Sequence, residues 1–568
     1  MKPRTTMKYL SSRLPALMCL LAGILALNSC RQPENSDPDK VVIAYVTSWS
    51  DIIPDPSLVT HINYAFGHVT ESFDGMRIDN PQRLQQMVAL KKQKPQLKVL
   101  VSVGGWGSGR FSEMAADENL RQSFCRSCAM QVEQYGLDGI DIDWEYPTSS
   151  VAGISSDPGD RENFTLLMRD LRAALGQDRL LTLASSAGAQ YIDFRSVTAY
   201  VDLVNIMSYD MADAPKHHSA LYNGAVSGFI TSDGAVRAHI NAGVPVSKIV
   251  MGVPFFGRKG AKAFDREKCV VNWDNDAMVP YLTDADGDMV LGYEDIRSLA
   301  IKCDYVLQHN LRGVMYWDYA DNDSDLSQSR ILAQKMAGRK DCSNVLVIAE
   351  AGGGHRPFTD AALVWLESQA AGKGFAITVI ENSNPVTREF LKAYKLVIQL
   401  DFPPYTWDSV SQEAFTDYIT TGKGGWIGFH HATLLGEFDG WPMWEWFSSF
   451  MGDIVYDNYI AQLSDGTVHV EDATHPVTKG VPAEFLVYDD EWYSYNRSPR
   501  QNVKVLATVD EDSYTAQTTV RMGDHPVIWV NENVAAKNVY FQMGHSPLLL
   551  SNPAFTTAFS NAISWCLE

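Results

Sequence analysis

The sequence predicts an α/β protein in two parts, on three observations. From Val41 onward, short β-branched or apolar runs alternate with longer amphipathic stretches, the pattern of parallel strands joined by crossover helices. Eight such runs fall within about 280 residues, the count of a (β/α)₈ (TIM) barrel. After a polar stretch at 320–343 the pattern starts again, as a doubly wound α/β unit. The domain reading is a barrel at 41–340 and a second domain at 345–568.

The predicted barrel strands are Val41–Val46, His61–Phe66, Lys98–Gly104, Gly139–Glu145, Leu181–Ala187, Leu203–Asp210, Ile249–Phe255 and Gly313–Asp318. Amphipathic helices such as Pro81–Lys94, Asn119–Tyr135, Arg161–Leu175 and Tyr293–His309 lie between them. Chemistry in such a barrel sits at the C-terminal ends of the strands. The second unit opens with strands Asn344–Glu350, Ala376–Glu381, Leu396–Phe402 and Gly425–Phe429, separated by helices near 359–372, 387–394 and 408–420. Extended segments Val503–Val509, Val527–Val530 and Val539–Met543 lead to a last helix, Ala554–Cys566.

The 568 residues, 45% hydrophobic and 20% charged, describe an ordinary globular chain. Lys+Arg 47 against Asp+Glu 68 leaves a net charge of −21, which removes the electrostatic footprint of a nucleic-acid binder. A neutral or cationic polymer suits such a surface better.

Residues 1–29 read as an export signal. Lys2, Arg4, Lys8 and Arg13 precede an apolar run from Leu14 to Leu27, which has the length of a signal core rather than of a membrane span. Leu27-Asn28-Ser29-Cys30 resembles a bacterial lipobox, which implies a lipid on the Cys30 thiol, a membrane anchor and a place in the cell envelope at the outer membrane. A plain signal peptide with a chance Cys is the alternative. Residues 30–40 read as a polar tether. Six further Cys are too sparse for a disulfide framework, and Cys125-x-x-Cys128 lacks a second pair at zinc-site spacing.

Asp138-Gly-Ile-Asp141-Ile-Asp143-Trp-Glu145-Tyr-Pro is the most informative segment. Strand side chains alternate, so Asp141, Asp143 and Glu145 share one face, with Ile140, Ile142 and Trp144 on the other. A solvated acidic edge would suit an antiparallel sheet, but parallel strands are covered on both faces. In the fourth of eight barrel strands the acids face the lumen. Stacked carboxylates there raise the pKa of at least one, which supplies the protonated carboxyl that a general acid requires. A calcium loop does not fit, because Tyr146 and Pro147 follow where further ligands would be needed.

Asp138-x-x-Asp141-x-Asp143-x-Glu145 resembles the DxxDxDxE signature of glycoside hydrolase family 18, the chitinases and related endo-N-acetylglucosaminidases. Ser102-Val-Gly104-Gly105-Trp106, Met207-Ser-Tyr209-Asp210, Gly252-Val-Pro-Phe-Phe-Gly257-Arg258 and Gly313-Val-Met-Tyr-Trp317 resemble the family's third, sixth, seventh and eighth strands, in order. Gly104 and Gly105 lack the GxGxxG spacing of a phosphate loop, and no cofactor is implied.

The resemblance implies a substrate-assisted retaining mechanism. Glu145 protonates the glycosidic oxygen, and the substrate's 2-acetamido carbonyl closes on the anomeric carbon as an oxazolinium-like intermediate. Asp143 orients the acetamido N–H, Asp141 shares a proton with Asp143, and Tyr209 binds the acetamido oxygen. Asp138, Gly104, Gly105, Trp106, Met207, Asp210, Arg258 and Trp317 are the implied substrate-binding positions, with Trp317 as the apolar floor. The implied substrate is a GlcNAc-containing glycan. Many deep-cleft relatives carry a sizeable module between the seventh and eighth strands. Here about 55 residues separate Phe255 from Gly313, which predicts a low wall and endo action.

Residues 345–568 resemble the ThuA-like (trehalose-utilisation) domain, with a flavodoxin-like, glutamine-amidotransferase-like fold. The pieces are Gly352-Gly353-Gly354-His355, Gly425-Trp-Ile-Gly428-Phe-His430-His431, His475-Pro476, Asp490-Glu491-x-Tyr493, Pro526-Val-Ile-Trp529 and Gly544-His545. Amidotransferases need a Cys at the strand–helix elbow, where Phe429-His430-His431 stands instead, so glutaminase chemistry is not expected. Seven of the 13 His (355, 430, 431, 469, 475, 525, 545) lie here. His355, His430, Glu491 and His545 are assigned as a ligand site without a reaction, a metal or a sugar pocket being open and no metal being assigned. Satisfied structural His at strand ends is the alternative.

Three functions remain in play: a chitin or chitooligosaccharide hydrolase, favoured by the Asp143/Tyr209/Asp210 pattern; an endo-β-N-acetylglucosaminidase acting on N-glycan cores; and a non-catalytic glycan-binding surface protein, which the presence of Glu145 disfavours.

Overall fold

The computed structural model describes residues 40–568; the expectations for the signal segment, Cys30 and the tether fall on residues outside that range. Among the described residues no helix is long and apolar enough to cross a membrane.

Eight parallel strands close on themselves: Val41–Thr47, His61–Val69, Lys98–Gly104, Gly139–Asp143, Leu180–Ser186, Leu203–Met207, Ile249–Pro254 and Gly313–Trp317. The first strand pairs with both the second and the eighth, which removes any free edge. A short antiparallel strand, Met76–Ile78, extends the second strand outside the ring. The strands are buried along nearly their whole length, because helices cover one face and the lumen side chains fill the other. Helix ends follow local chemistry. Asp117 caps Glu118–Tyr135 by accepting from the Asn119 and Leu120 amides, and left-handed Gly136 stops it.

Between the seventh and eighth strands, residues 258–292 form a four-stranded antiparallel sheet of Arg258–Lys259, Val270–Asp274, Val279–Thr283 and Met289–Gly292. The sequence predicts only a short connection with a low wall here. Strands of two to five residues interrupted by polar turns carry too little alternation to be recognised.

The second domain is a nine-stranded sheet in the order Phe375–Ile380, Ser343–Ala349, Leu396–Leu400, Gly425–Phe429, Asn538–Phe541, Pro526–Val530, Lys504–Asp510, Ser464–Val470, Glu484–Asp490. The first five neighbours run parallel and the rest antiparallel. Helices Arg356–Lys373 and Pro553–Leu567 pack on one face through Phe358, Leu366, Phe555 and Phe559. Helix Ser409–Thr420 and its neighbours cover the other face, and their core is continuous with that of the barrel. Arg195 donates to both oxygens of Asp408, at 2.8 and 3.2 Å, and Lys248 pairs with Glu389 at 2.8 Å across this junction.

Candidate active site

The fourth barrel strand places Asp141 and Asp143 in the lumen, with Glu145 just beyond its C-terminal end; their exposures are 0%, 4% and 8%. The register sets Ser102 beside Asp141 on one side and Thr182 on the other. Asp141 accepts from Ser102 (2.8 Å), Thr182 (2.5 Å), Tyr45 (2.9 Å) and the Asn205 amide (3.1 Å). Burial pushes its pKa up while these four donors pull it down. Both of its oxygens are thus met by neutral donors.

Asp143 is held well above the ordinary carboxylate range by burial first, then by the charges of Glu145 and Asp141. Its Oδ1 is buried and has no hydrogen-bond partner among the described residues. A buried polar atom left unpaired costs stability unless a ligand supplies the missing partner. Burial raises Glu145 to about 7, opposed by the Tyr146 hydroxyl and assisted by the Asp210 charge. A carboxyl at that value is protonated in a large fraction of molecules near neutrality.

The surroundings come from other strand ends. Gly104 and Gly105 let the third strand turn beside Asp143. A Cβ on Gly104, at φ +130°, would stand 1.9 Å from the Asp143 carbonyl oxygen, and one on Gly105 would meet the Phe66 ring at 2.6 Å. Tyr209 follows the sixth strand, half-buried, with its hydroxyl 4.0 Å from the Met315 sulfur. Trp317 ends the eighth strand and packs on Phe66 at 5.7 Å and on Tyr45 at 5.8 Å; Met207 is partly buried against the same apolar cluster. Arg258, first residue of the antiparallel sheet, holds both oxygens of Asp210, at 2.6 and 2.5 Å. His218 reaches Asp210 at 3.3 Å, and these two partners outweigh burial to keep the Asp210 pKa low. Trp106 and Trp49 stand at the mouth, 63% and 67% exposed.

Asp138 is the exception among the predicted barrel residues. It precedes the fourth strand at the opposite, N-terminal end, where its carboxylate accepts from Lys91 (2.7 Å) and the Val99 amide (2.8 Å). Five residues of strand separate it from Asp143 by ~16 Å, so its assignment to substrate binding is replaced by a role at the foot of the barrel. Tyr45, Thr182 and Asn205 were not anticipated. The available signal was a polar residue inside each of three mostly apolar, buried strands.

In the second domain, His355, His430, Glu491 and His545 converge. His430 follows the fourth strand of the parallel set at φ +39°, and its Nε2 lies 3.0 Å from Glu491 Oε2. His355 Nε2 and His545 Nδ1 each lie 3.9 Å from the same oxygen. Glu350 accepts from His431 Nδ1 at 2.7 Å, so the cluster also includes a pair that the sequence reading did not name. Burial lowers His430 to about 3. His355, His430 and His545 follow parallel strands at the C-terminal edge of the sheet, the side on which doubly wound folds bind ligands, and Glu491 follows the far edge strand, Glu484–Asp490.

Comparison with known proteins agrees with both parts. Residues 41–323 match the family model for glycosyl hydrolases family 18, and residues 344–566 match the model for trehalose utilisation (ThuA). Chitinase A1 of Niallia circulans is 29% identical over 439 residues, covering 56% of this chain and 62% of that protein. Probable chitinase 2 of Drosophila melanogaster is 32% identical over 252 residues, covering 39% of this chain and 51% of that protein. The chain therefore spans about half to three-fifths of the length of these two relatives. Among solved structures, a glycoside hydrolase family 18 N-acetylglucosaminidase from Paenibacillus barengoltzii is 36% identical, with 52% of this chain and 99% of that one covered and a TM-score of 0.48.

Proposed function

Residues 41–323 belong to glycosyl hydrolases family 18, and from that premise we propose that the chain hydrolyses β-1,4-linked N-acetylglucosamine glycans of the chitin type, with retention, by substrate assistance. The observation that carries this reading is the division of labour along one strand. Glu145, shifted to about 7, stands at the mouth as the proton donor; Asp143 below it has a buried oxygen without a partner; and Asp141 at the base is saturated by four neutral donors.

In this mechanism Glu145 gives its proton to the glycosidic oxygen as that bond breaks. The substrate's acetamido oxygen bonds to the anomeric carbon, and its N–H donates to Asp143 Oδ1, an acceptor that orients the amide and stabilises the growing positive charge. The Tyr209 hydroxyl, whose partner among the described residues is the Met315 sulfur at 4.0 Å, is available to the acetamido oxygen. Glu145, now a base, takes a proton from water, which attacks the same carbon and releases the product with its configuration retained. Trp317 supports the apolar face of the sugar. Exposed Trp49 and Trp106 extend the platform along the groove.

A sugar without the N-acetyl group lacks the internal nucleophile. Fully deacetylated chitooligosaccharides are therefore expected to resist cleavage under conditions that digest the acetylated series, and equal rates on both would refute substrate assistance. Product analysis beside a high-mannose glycoprotein separates the two substrate classes. Chitobiose release supports the chitin reading. Release of a glycan leaving one GlcNAc on Asn would instead make the chain an endo-β-N-acetylglucosaminidase, and binding without turnover would make it a lectin.

Export and lipid anchoring at Cys30 belong to the same reading, supported by the basic stretch, apolar run and lipobox-like Leu27-Asn28-Ser29-Cys30. Labelled palmitate should enter the wild-type protein in cells and be lost in Cys30→Ser; equal labelling of both would remove the anchor.

A further inference from the structure

The second domain holds an unusual charge arrangement. Glu350, Asp401, Asp490 and Glu491 lie close enough for their charges to act on one another, yet among the described residues no Lys or Arg pairs with any of them. Their ionic partners are histidines only. Asp401 is fully buried and neither of its carboxyl oxygens has a hydrogen-bond partner. His355 Nε2 and His545 Nδ1 are buried atoms without partners, and both lie 3.9 Å from Glu491 Oε2.

The hydrogen bonding of His430 decides what these orphaned atoms are for. Its Nδ1 lies 2.9 Å from the backbone carbonyl oxygen of Gln542, which can only accept, so Nδ1 carries the proton. A neutral ring then turns an Nε2 lone pair toward Glu491 Oε2, 3.0 Å away. Two acceptors face each other with no hydrogen between them. An imidazolium would supply one, but the ring has zero exposure and a buried charge is costly. A cation bound by both atoms removes the conflict. Fixing a metal-binding imidazole by a hydrogen bond from its other nitrogen to a carbonyl is the usual outer-shell device.

We propose that His355 Nε2, His430 Nε2, Glu491 Oε2 and His545 Nδ1 bind a divalent first-row transition metal, zinc foremost. The four atoms lie within 4.8 Å of one another. Zinc bonds of about 2.0–2.2 Å place tetrahedral ligands roughly 3.4 Å apart, so movements of up to about 0.7 Å by each ligand complete the shell. Imidazole-rich donor sets favour zinc, nickel, copper and iron over magnesium or calcium. His355 and His545, at 12% and 20% side-chain exposure, leave an entry path from solvent. Glu350, 3.9 Å from His355 Nδ1 and bonded to His431, supplies outer-shell negative charge.

The test uses the full chain, stripped with a chelator and titrated with ZnCl₂ or CoCl₂. The expected result is about one metal per chain, visible cobalt ligand-field absorption and a metal-dependent rise in melting temperature. His545→Ala at the rim and Glu491→Gln should each weaken uptake at least about tenfold while far-UV circular dichroism stays native. Because His430→Ala risks misfolding, the rim variant carries the test. Absence of cobalt absorption and of any metal-dependent melting shift in the wild-type chain would overturn the proposal. So would uptake that both variants leave as it was.

Discussion

The two clusters of this molecule sit at equivalent places, the C-terminal ends of parallel strands, and differ in how their charges are balanced. In the barrel, three carboxyls come from alternate positions of a single strand, and the innermost, Asp141, is met only by neutral hydroxyl and amide donors. Among the described residues nothing cationic contacts Asp141, so protons settle the balance, and burial raises both Asp143 and Glu145, the latter to about 7. In the second domain the acids and histidines come from loops between Glu350 and His545, and imidazole lone pairs face a carboxylate. There the proposed metal ion would settle the balance. On both proposals the same parallel-sheet edge makes a proton donor in one domain and a cation site in the other, according to whether neutral donors or imidazoles surround the acids.

The largest expected effect separates them outright. Glu145→Gln keeps the side-chain shape but cannot give or take the proton, and turnover on chitooligosaccharides should fall by ~10³-fold or more. Zinc uptake by the same variant should match the wild type. Residual turnover within about tenfold of wild type would move the acid role elsewhere.

A pH series sharpens the contrast through opposite signs. In the proposed mechanism Glu145 acts protonated, and its pKa of about 7 lies well above an ordinary carboxyl, so the barrel's activity should be lost as pH rises through about 7. Metal uptake competes with protons and should weaken as pH falls. A basic limb in kcat that persists unmoved in Glu145→Gln would assign that limb to another group.

The smallest effect concerns the junction that lets both sites belong to one compact unit. Arg195 and Asp408 form a bidentate pair that is partly open to solvent, at 29% and 42% side-chain exposure. Arg195→Ala should cost about 0.5–1 kcal/mol in urea unfolding, because exposed pairs contribute little beside the shared apolar core. A loss several times larger would mean that the pair, and not the apolar contact, holds the domains together.

The barrel site was legible to the extent that it lies along one strand. Side-chain alternation alone placed Asp141, Asp143 and Glu145 on one face, and the eight-run count turned that face toward a lumen. The same signature misled at Asp138, because a motif records spacing and does not say which end of the strand a residue occupies. Tyr45, Thr182 and Asn205 were illegible as partners of Asp141, since each belongs to a different strand and strand register and ring closure bring them together. The small antiparallel sheet that delivers Arg258 to Asp210 escaped notice for a related reason, its strands being too short to show a period.

Local sequence therefore determined the elements: which runs pair as strands, where helices start at Asp and stop at Gly, and which acids share a face. Those follow from backbone sterics and a two- or 3.6-residue period, which act over a few neighbours. Tertiary structure alone decided that Asp141 would be saturated and Asp143 left with a free oxygen, and that His430 would meet Glu491 from 61 residues away. Charge balance in a buried site depends on every group within a few ångströms, and chain separation carries no information about those distances.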